Sequence, residues 1–447
     1  MKQACVRFRI NMAKIIVKPY NSLYDDPNLV IRVVNLGLNE KITIQSCQTS
    51  DKGREFHAYA YYITDDNGKV DVSVDSSFGG YYTGVEPLGL LWAMRIVPGP
   101  KQKFSSLVKQ DATTPAFIIY KVYRGHIDID QIGSINTRKC LMASSKFERK
   151  FANSNIRRFV VKEGDLRGVI FVPEQKGSFM GVIDLGGVNG GMVEMRAALL
   201  SNYGFVVLSL SLFGAFDQIK KVSHVDLAYI ERGVKYLLCH EKVFKDGVGV
   251  LGVSFGGSAV LAAATFVKDI KCVVNISGPL SASGFTNFKY GEKIWMPTEE
   301  KINGHPVIDG IQRPSCMIQT PQYLKIHKHF PEFQKSEASI LFIYGEDDRS
   351  VNWKEQSELA IQLMKSSNKT NYEIKSYPGT GHMIFPPYVP MFSLAYILPT
   401  ANYPTYLGGT SKDHAYGQAN AWKHIISFLK EHGNKMRDNN FTLESRL

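Results

Sequence analysis

The chain has 447 residues, of which 44% are hydrophobic and 21% charged, and this composition excludes an intrinsically disordered protein. Lys and Arg number 53 against 41 Asp and Glu, and the resulting net charge of +12 attracts polyanions. The sequence has no long basic block, so we expect no nucleic-acid partner, and it has no zinc-type spacing, so we expect no metal. We also expect no cofactor. Six scattered cysteines without a C-x-x-C motif are typical of reduced thiols in an intracellular protein.

The first 150 residues show the pattern of a β domain. Short segments rich in β-branched and aromatic residues alternate with turn clusters, and no long helical pattern separates them. Between two of these segments, Asp66-Asn67-Gly68 is a strong signal for a two-residue hairpin turn. We therefore predict a β-sandwich over residues 13–150, preceded by an extension of residues 1–12.

From about residue 158, predicted strands alternate with predicted helices. Buried strands are indicated by RGVIFVPE, GVIDLGG, GFVVLSLSLFG, GVGVLGVS, CVVNISG, SILFIYG and YEIKSY. Helices are indicated by GGMVEMRAALLSNYG, DLAYIERGVKYLLCHE, GGSAVLAAATFV, WKEQSELAIQLMKS and ANAWKHIISFLKEHG. This alternation predicts an α/β domain over residues 151–432, with a parallel sheet between helices. Residues 280–335 are irregular and suggest a lid or an insertion, whereas residues 433–447 suggest a flexible tail.

The uncharged stretch Gly247–Val267 allows two interpretations. Its length is that of a membrane span. However, glycines interrupt it, and several of them form a turn signal in its middle. We therefore favour a buried strand, a sharp turn and a buried helix, and we expect no membrane span.

A candidate nucleophile lies at that turn, in the run Gly252-Val253-Ser254-Phe255-Gly256-Gly257. A G-x-S-x-G run between a strand and a helix is typical of the nucleophile elbow of an α/β-hydrolase, which exposes the serine hydroxyl at the carboxyl edge of the sheet. Gly252 and Gly256 are expected there because side chains would clash in so tight a turn. We predict that Ser254 is catalytic.

A serine nucleophile needs a base, and the base needs an acid that orients it; in this fold the acid and then the histidine follow the serine along the chain. The acid is expected in the loop after the strand SILFIY, where Asp348 is the first choice and Asp347 its rival. The base is expected in the loop after YEIKSY, where His382 follows a glycine-rich run. His414 is a competitor, but no strand precedes it, so we expect it to be structural.

Backbone N–H groups are expected to form the oxyanion hole. The first donor is that of Phe255, directly after the nucleophile. The second should come from the glycine-rich loop after the strand GVIDL, where Val188 is the first choice and Gly187 the next. This loop lacks the Lys-Ser/Thr ending of a phosphate-binding loop, so nucleotide binding is not favoured.

Several longer motifs resemble one known family. They are the run GGYYTGVEPLGLLWAM at residues 79–94, Gly190–Arg196, the elbow, Gly345–Asp348, Pro378–His382 with Pro386-Pro387-Tyr388, and Gly408-Gly409 with His414-Ala415. Over residues 13–432 the chain resembles the type I acyl-CoA thioesterases, which form one family with bile acid-CoA:amino acid N-acyltransferase.

The resemblance implies an enzyme that hydrolyses fatty acyl-CoA through an acyl-enzyme intermediate, with Ser254 as nucleophile, Asp348 as acid and His382 as base. In this family a cysteine at the elbow accompanies amino-acid conjugation and a serine accompanies hydrolysis, so Ser254 favours hydrolysis. The main alternative is an acyl-CoA:amino acid N-acyltransferase; a carboxylesterase or peptidase of the same fold and a non-catalytic acyl-CoA-binding protein are further alternatives. We expect a monomer.

The chain ends in Ser445-Arg446-Leu447. This resembles the peroxisomal Ser-Lys-Leu address, and Arg446 keeps the positive charge of the lysine. We therefore expect a peroxisomal protein that an import receptor binds at its C-terminus, with the cytoplasm as the alternative location.

Overall fold

Two compact units make up the chain. The computed structural model describes residues 12–97, 106–128, 135–188, 190–219, 224–280, 287–295, 307–312, 330–395 and 403–444. Unit 1 comprises residues 1–101 and 115–150, and unit 2 comprises residues 102–114 and 151–447. The short segment 102–114 therefore belongs to unit 2, although the residues before and after it in the chain belong to unit 1.

Unit 1 consists mainly of strands. These are β1 (Lys14–Lys18), β2 (Asn21–Leu23), β3 (Val30–Val34), β4 (Lys41–Thr49), β5 (Glu55–Ile63), β6 (Val70–Asp71), β7 (Arg95–Ile96), β8 (Ala116–Arg124) and β9 (Leu141–Lys150). Two short helices are α1 (Gly89–Trp92) and α2 (Ile135–Cys140). The strands form two sheets, with the orders β1-β3-β6 and β2-β9-β8-β4-β5-β7. The pairs are antiparallel except that β2 runs parallel to β9.

Alternating burial gives several strands of the two sheets one apolar face. In β8, Ala116, Ile118 and Tyr120 are buried, whereas Phe117 and Ile119 are exposed. The same alternation appears in β1 and β3 of the smaller sheet. Because successive side chains of a strand point to opposite faces, β1, β3 and β8 bury one face and expose the other, whereas β4 and β5 are buried over five consecutive residues each. Two such sheets agree with the predicted β-sandwich.

The turn at Asp66-Asn67-Gly68 does not close the predicted hairpin. Gly68 has a φ of 65° and donates its N–H to the Asp65 carbonyl at 3.0 Å, so the turn itself is present. The next strand, β6, pairs with β3 in the smaller sheet and not with β5 in the larger one. The hairpin prediction is wrong because a turn signal specifies the local backbone shape, whereas the partner of the following strand depends on which sheet buries its side chains.

Unit 2 alternates strands with helices. Its strands are β10 (Ile156–Glu163), β11 (Leu166–Pro173), β12 (Phe179–Leu185), β13 (Phe205–Leu210), β14 (His224–Asp226), β15 (Val243–Val253), β16 (Ile270–Ile276), β17 (Asn287–Tyr290), β18 (Lys293–Trp295), β19 (Val307–Ile308), β20 (Ile311–Gln312), β21 (Ser339–Gly345), β22 (Tyr372–Tyr377), β23 (Leu394–Ala395) and β24 (Thr405–Tyr406). Its α-helices are α3 (Glu194–Ser201), α4 (Leu227–Cys239), α5 (Phe255–Ala264), α6 (Trp353–Ser366) and α7 (Ser411–Glu444). A 3₁₀ turn spans Phe333–Lys335.

The main sheet of unit 2 has eight strands in the order β10-β11-β13-β12-β15-β16-β21-β22. The pairs β10–β11 and β11–β13 are antiparallel, and the five remaining pairs are parallel. A mostly parallel sheet of this order, with a serine turn after its central strand β15, is the α/β-hydrolase arrangement. The predicted fold class, an α/β-hydrolase domain after an N-terminal β-sandwich, is confirmed.

Helices cover both faces of this sheet. Gly181 of β12 lies next to Val248 of β15, and a Cβ at Gly181 would point at Leu237 of α4. A Cβ at the next residue of β15, Gly249, would point at Leu429 of α7. Because successive residues of a strand face opposite sides, α4 and α7 lie on opposite faces. The central strands β12 and β15 are therefore buried on both sides, which explains their nearly continuous apolar sequences.

The stretch Gly247–Val267 forms the end of β15, a turn and α5. The strand–turn–helix interpretation is confirmed. Among the helices that the structure describes, none is both long and apolar enough to cross a membrane.

The edge strand β10 was not expected from the sequence. Of its residues only Val161 is buried, and Arg157, Arg158 and Lys162 interrupt the apolar pattern. An edge strand has a neighbour on one side only and is commonly protected by charged side chains. Such a strand lacks the continuous apolar run by which the other strands were predicted.

Helix α7 extends to Glu444, whereas a flexible tail was expected from residue 433. Gly433 is a typical stop signal, but here it is buried within the helix, and a Cβ at this position would lie 3.3 Å from the Met180 side chain. Its small size therefore serves close packing and not a helix end. The C-terminal Ser445-Arg446-Leu447 and residues 1–11 lie outside the described residues.

The predicted lid or insertion, 280–335, is described only in part, because residues 281–286, 296–306 and 313–329 lie outside the described residues. Strand β17 joins β14 and β18 in a three-stranded sheet. Phe288 of β17 stacks on Phe255 of α5, with ring centroids 5.5 Å apart. This part of the segment therefore packs directly on the residue that follows the candidate nucleophile.

Candidate active site

A single residue, Ser254, separates β15 from α5. Its φ of 55° and ψ of −123° lie in a region that residues with a side chain seldom adopt. Its N–H donates to the Ile276 carbonyl of β16 at 2.8 Å, and its carbonyl accepts from the Ser258 N–H at 3.2 Å. These bonds hold the sharp turn of a nucleophile elbow, which presents the hydroxyl at the carboxyl edge of the sheet.

Two glycines make room for this turn. A Cβ at Gly252 would overlap the Gly256 carbonyl, and a Cβ at Gly256 would overlap the Gly186 carbonyl. The obstructing atoms belong to the backbone and cannot move aside as the end of a flexible side chain can. Both glycines of the predicted elbow are therefore required by close approach of backbone segments.

The three predicted triad side chains form one hydrogen-bonded chain. His382 Nε2 lies 2.9 Å from Ser254 Oγ, and His382 Nδ1 lies 2.8 Å from Asp348 Oδ2. His382 and Asp348 are buried, whereas Ser254 is half-buried. Asp348 Oδ1 accepts from the N–H groups of Ser350 and Val351, each at 2.8 Å. These two bonds orient the carboxylate, so that Oδ2 can accept the Nδ1 proton and Nε2 can accept the serine proton.

The rival acid, Asp347, faces other partners. Its Oδ1 accepts from Arg349 Nε at 2.7 Å, and its Oδ2 accepts from the Gly409 N–H at 2.8 Å. The structure therefore brings Asp348, and not Asp347, to the ring of His382.

The expected oxyanion donors lie on both sides of the serine. Phe255 is the first residue of α5, and the first N–H groups of a helix have no acceptor within it. Gly187 lies against the nucleophile, since a Cβ there would be 3.7 Å from Ser254 Cβ. Val188 is half-buried and follows in a turn that the Gly190 N–H closes by donating to the Gly187 carbonyl at 3.2 Å. Phe255 and either Val188 or Gly187 stay the predicted pair of donors.

The competing histidine, His414, lies beside the base loop and not in the triad. It is buried, its Nδ1 accepts from the Gly381 N–H at 3.0 Å, and its Nε2 lies 3.2 Å from the Met383 carbonyl. Burial lowers the pKa of His414 to about 4. Its ring is therefore neutral at pH 7 and bonds to the backbone on both sides of His382.

A buried ion pair at the glycine-rich loop is a feature that the sequence analysis missed. Asp184 at the end of β12 and Arg196 in α3 have side chains only 1% exposed. Arg196 donates to the Asp184 carboxylate through two nitrogens and to the Leu185 carbonyl at 2.8 Å. Burial raises the pKa of Asp184, and Arg196 opposes this rise. The pair joins the strand before the loop to the helix after it; the available signal was an arginine inside the apolar run MVEMRAALL.

Three known proteins are similar to the chain over most of its length. Acyl-coenzyme A thioesterase 1 of Mus musculus is 35% identical over 411 residues, which are 91% of this chain and 94% of that protein. Acyl-coenzyme A amino acid N-acyltransferase 1 of Mus musculus is 32% identical over 425 residues, 94% of this chain and 98% of that protein. Bile acid-CoA:amino acid N-acyltransferase of Mus musculus is 32% identical over 426 residues, with the same two coverages.

The eight-stranded sheet, the elbow and the hydrogen-bonded Ser254, His382 and Asp348 define a class of protein, the α/β-hydrolases with a serine at the nucleophile position. Residues 225–435 match the family model described as BAAT / Acyl-CoA thioester hydrolase C terminal, and residues 26–163 match that of the Acyl-CoA thioester hydrolase/BAAT N-terminal region. The chain belongs to this acyl-CoA thioester hydrolase/BAAT family, which confirms the resemblance found in its sequence.

Proposed function

We propose that the chain is a serine-dependent acyl-CoA thioesterase that hydrolyses fatty acyl-CoA to a free fatty acid and CoA. The observation that carries the proposal is the 2.9 Å between Ser254 Oγ and His382 Nε2, with Asp348 2.8 Å from the other ring nitrogen. A nucleophile, a base and an orienting acid so arranged are what acyl transfer requires. The names of the relatives point to the acyl donor, because thioesterases and N-acyltransferases of acyl-CoA both begin by cleaving its thioester.

In the first half-reaction, His382 Nε2 takes the proton of Ser254 while Oγ attacks the thioester carbonyl. The negative charge that develops on the carbonyl oxygen is stabilised by backbone N–H groups, of which that of Phe255 is the first. The carbon–sulfur bond then breaks and CoA leaves as a thiolate, which takes the proton from His382. Thiols ionise near pH 8.5, so this leaving group departs readily.

In the second half-reaction, water replaces CoA. His382 takes a proton from the water, whose oxygen attacks the ester carbonyl of the acyl-enzyme. When the ester bond breaks, the same proton returns to Ser254 Oγ and the fatty acid is released. Asp348 keeps the proton of Nδ1 facing its carboxylate throughout, which stabilises the imidazolium formed twice in the cycle.

The test is thiol release from acyl-CoAs of increasing chain length, with and without glycine or taurine. We expect steady release without an amino acid, and a loss of at least about 10³-fold in Ser254→Ala because the nucleophile is absent. Ser258→Ala is the matched control, since this buried hydroxyl in α5, the helix after the elbow, donates to the Pro279 carbonyl at 2.6 Å and should not be needed for turnover. Wild-type turnover in Ser254→Ala would refute the proposal, and so would the lack of thiol release from any acyl-CoA.

The second candidate function is acyl-CoA:amino acid N-acyltransfer. The observation in its favour is that N-acyltransferases are nearly as similar to the chain as the thioesterase, at 32% against 35% identity. Ser254 at the elbow argues for hydrolysis, because in this family a serine at that position accompanies hydrolysis and a cysteine accompanies amino-acid conjugation. Thiol release that depends on added glycine or taurine, together with formation of the conjugate, would move the assignment to this function.

The proposed location is the peroxisome, with the cytosol as the alternative. The C-terminal Ser445-Arg446-Leu447 supports a peroxisomal import receptor as partner. One relative, the peroxisomal succinyl-coenzyme A thioesterase of Mus musculus, is 32% identical over 419 residues. A fluorescent reporter that carries the last residues of the chain should enter peroxisomes, and the same reporter without Leu447 should not. The monomeric state stays a prediction that light scattering can test.

A further inference from the structure

One segment, residues 405–414, contacts both loops that carry the acid and the base; we call it the strap. The Leu407 carbonyl of the strap accepts from the His382 N–H at 2.9 Å. The Gly409 N–H donates to Asp347 Oδ2 at 2.8 Å, in the loop of the acid. Although the two loops belong to different strand ends, the strap therefore links them by direct hydrogen bonds.

The side chain by which the strap reaches the base loop is that of His414. The Gly381 N–H points at His414 Nδ1 over 3.0 Å, and a backbone N–H can only donate, so Nδ1 is the acceptor. Nε2 then carries the proton and donates it to the Met383 carbonyl at 3.2 Å. A single neutral tautomer satisfies both bonds, and the two backbone groups belong to the residues just before and just after His382.

The environment of His414 maintains this tautomer. The residue is only 2% exposed, and burial lowers its pKa to about 4, so the ring does not take up a second proton at pH 7. On the other side of the base loop there is no free space, because a Cβ at Gly381 would lie 2.5 Å from the Gly408 carbonyl oxygen. The base loop is thus held between the strap backbone and the imidazole of His414.

We propose that His414 is a positioning residue, which holds the backbone on both sides of His382 so that the ring of the base stays within hydrogen-bond distance of Ser254 and Asp348. The inference rests on the proposed function of this triad. No step of the reaction passes through His414 itself. Because a misplacement of about 1 Å can cost about 10²-fold in rate, loss of the two bonds should lower kcat more than it raises KM.

Three substitutions and one control separate this role from a general effect on folding. His414→Gln offers an amide oxygen and nitrogen in place of the ring acceptor and donor. His414→Asn carries the same amide on a side chain one carbon shorter, and His414→Phe fills the space without either hydrogen bond. The control is His432→Phe in the same helix, where Nδ1 lies 2.8 Å from the Phe428 carbonyl one turn earlier.

Three readouts apply to each variant: kcat and KM for acyl-CoA, the rate at which a fluorophosphonate labels Ser254, and the downfield proton signal of His382 Nδ1–H. We expect about a 10²-fold loss of kcat and of labelling rate in His414→Phe, with loss of the proton signal. His414→Gln should keep the signal and most of both rates. His414→Asn places its amide oxygen near the position of Nδ1 and can keep the bond from the Gly381 N–H but not the bond to the Met383 carbonyl, so its rates should lie between those of the Gln and Phe variants. His432→Phe should behave as the wild type.

Wild-type rates in His414→Phe would overturn the inference, because neither hydrogen bond would then matter. Equal rates in His414→Gln and His414→Asn would also overturn it, because the bond to the Met383 carbonyl would then not matter. The comparison of Gln with Asn decides the question even if the Phe variant does not fold. A wild type that is labelled at Ser254 but releases no thiol from any acyl-CoA would contradict the proposed substrate, while the labelling rates would still test the role of His414.

Discussion

Substitution of Asp348 by Asn separates the two candidate acids by a tautomer argument. Asp348 Oδ1 accepts from the N–H groups of Ser350 and Val351, and Oδ2 lies 2.8 Å from His382 Nδ1. In Asp348→Asn the amide oxygen must face the two backbone donors, so the amide nitrogen faces His382 and donates to Nδ1. The ring proton then lies on Nε2, which can no longer accept the proton of Ser254.

We expect kcat of Asp348→Asn to fall about 10⁴-fold, which corresponds to about 5.4 kcal/mol of transition-state stabilisation. The side chain is fully buried, so water cannot replace the lost acceptor. The assay is steady-state thiol release from acyl-CoA, with the concentration of folded enzyme fixed by circular dichroism. The expected value holds only if the amide is oriented by the two N–H bonds.

The matched control is Asp347→Asn. This change removes the ion pair with the half-exposed Arg349 but leaves an acceptor for the Gly409 N–H. Exposed ion pairs contribute about 1 kcal/mol or less to stability, and Asp347 has no bond to His382, so kcat should change less than about fivefold. A large loss in Asp347→Asn together with near-normal turnover in Asp348→Asn would refute the tautomer argument and the choice of acid.

Two further predictions concern stability. Arg196→Met should lower the free energy of unfolding by about 3–5 kcal/mol, because the carboxylate of Asp184 then stays buried without its cation. The double variant Asp184→Leu with Arg196→Met should recover most of this loss. Thermal unfolding of both variants measures the effect, and an Arg196→Met variant as stable as the wild type would contradict the prediction. The pKa of His414 is about 4 in the folded protein and near 6.5 in the unfolded chain. As the pH falls from about 6.5 toward 4, the unfolded chain therefore binds a proton that the folded protein does not, and the free energy of unfolding decreases. Between pH 7 and pH 5 the wild type should lose about 2 kcal/mol more than His414→Gln, and melting temperatures that fall equally in the two proteins would show that His414 is not the group concerned.

The strand ends that carry Ser254, Asp348 and His382 could be predicted from the sequence, because β15 and β21 are strongly apolar and the more polar β22 is followed by a glycine-rich loop. What the sequence left open was the choice between neighbours. Asp347 and Asp348 occupy the same loop, and only the backbone N–H groups of Ser350 and Val351 reveal which carboxylate is oriented toward the base. Such bonds depend on the exact course of the loop, which a G-x-x-D pattern does not specify.

Features that rest on contacts between distant segments could not be predicted in this way. His414 lies 33 positions from Gly381, and no local pattern links the two residues. The partner of β6 and the inclusion of residues 102–114 in unit 2 are of the same kind, since both depend on which surface buries a short segment. For β10 the reason is different: an edge strand has little need of an apolar sequence.

Overall similarity does not distinguish hydrolysis from acyl transfer in this family, because relatives with either name are 32–35% identical to the chain. In the proposed mechanism Ser254 first forms an acyl-enzyme, and hydrolysis and acyl transfer diverge only when water or an amine attacks it. The atom that holds the acyl group decides what its turnover requires. On Ser254 it is an oxyester, whose alkoxide leaves poorly and needs the proton that His382 returns. A base oriented by Asp348 meets this requirement, so the local geometry supports turnover of an acyl-serine, and the acceptor, water or an amine, distinguishes the two reactions.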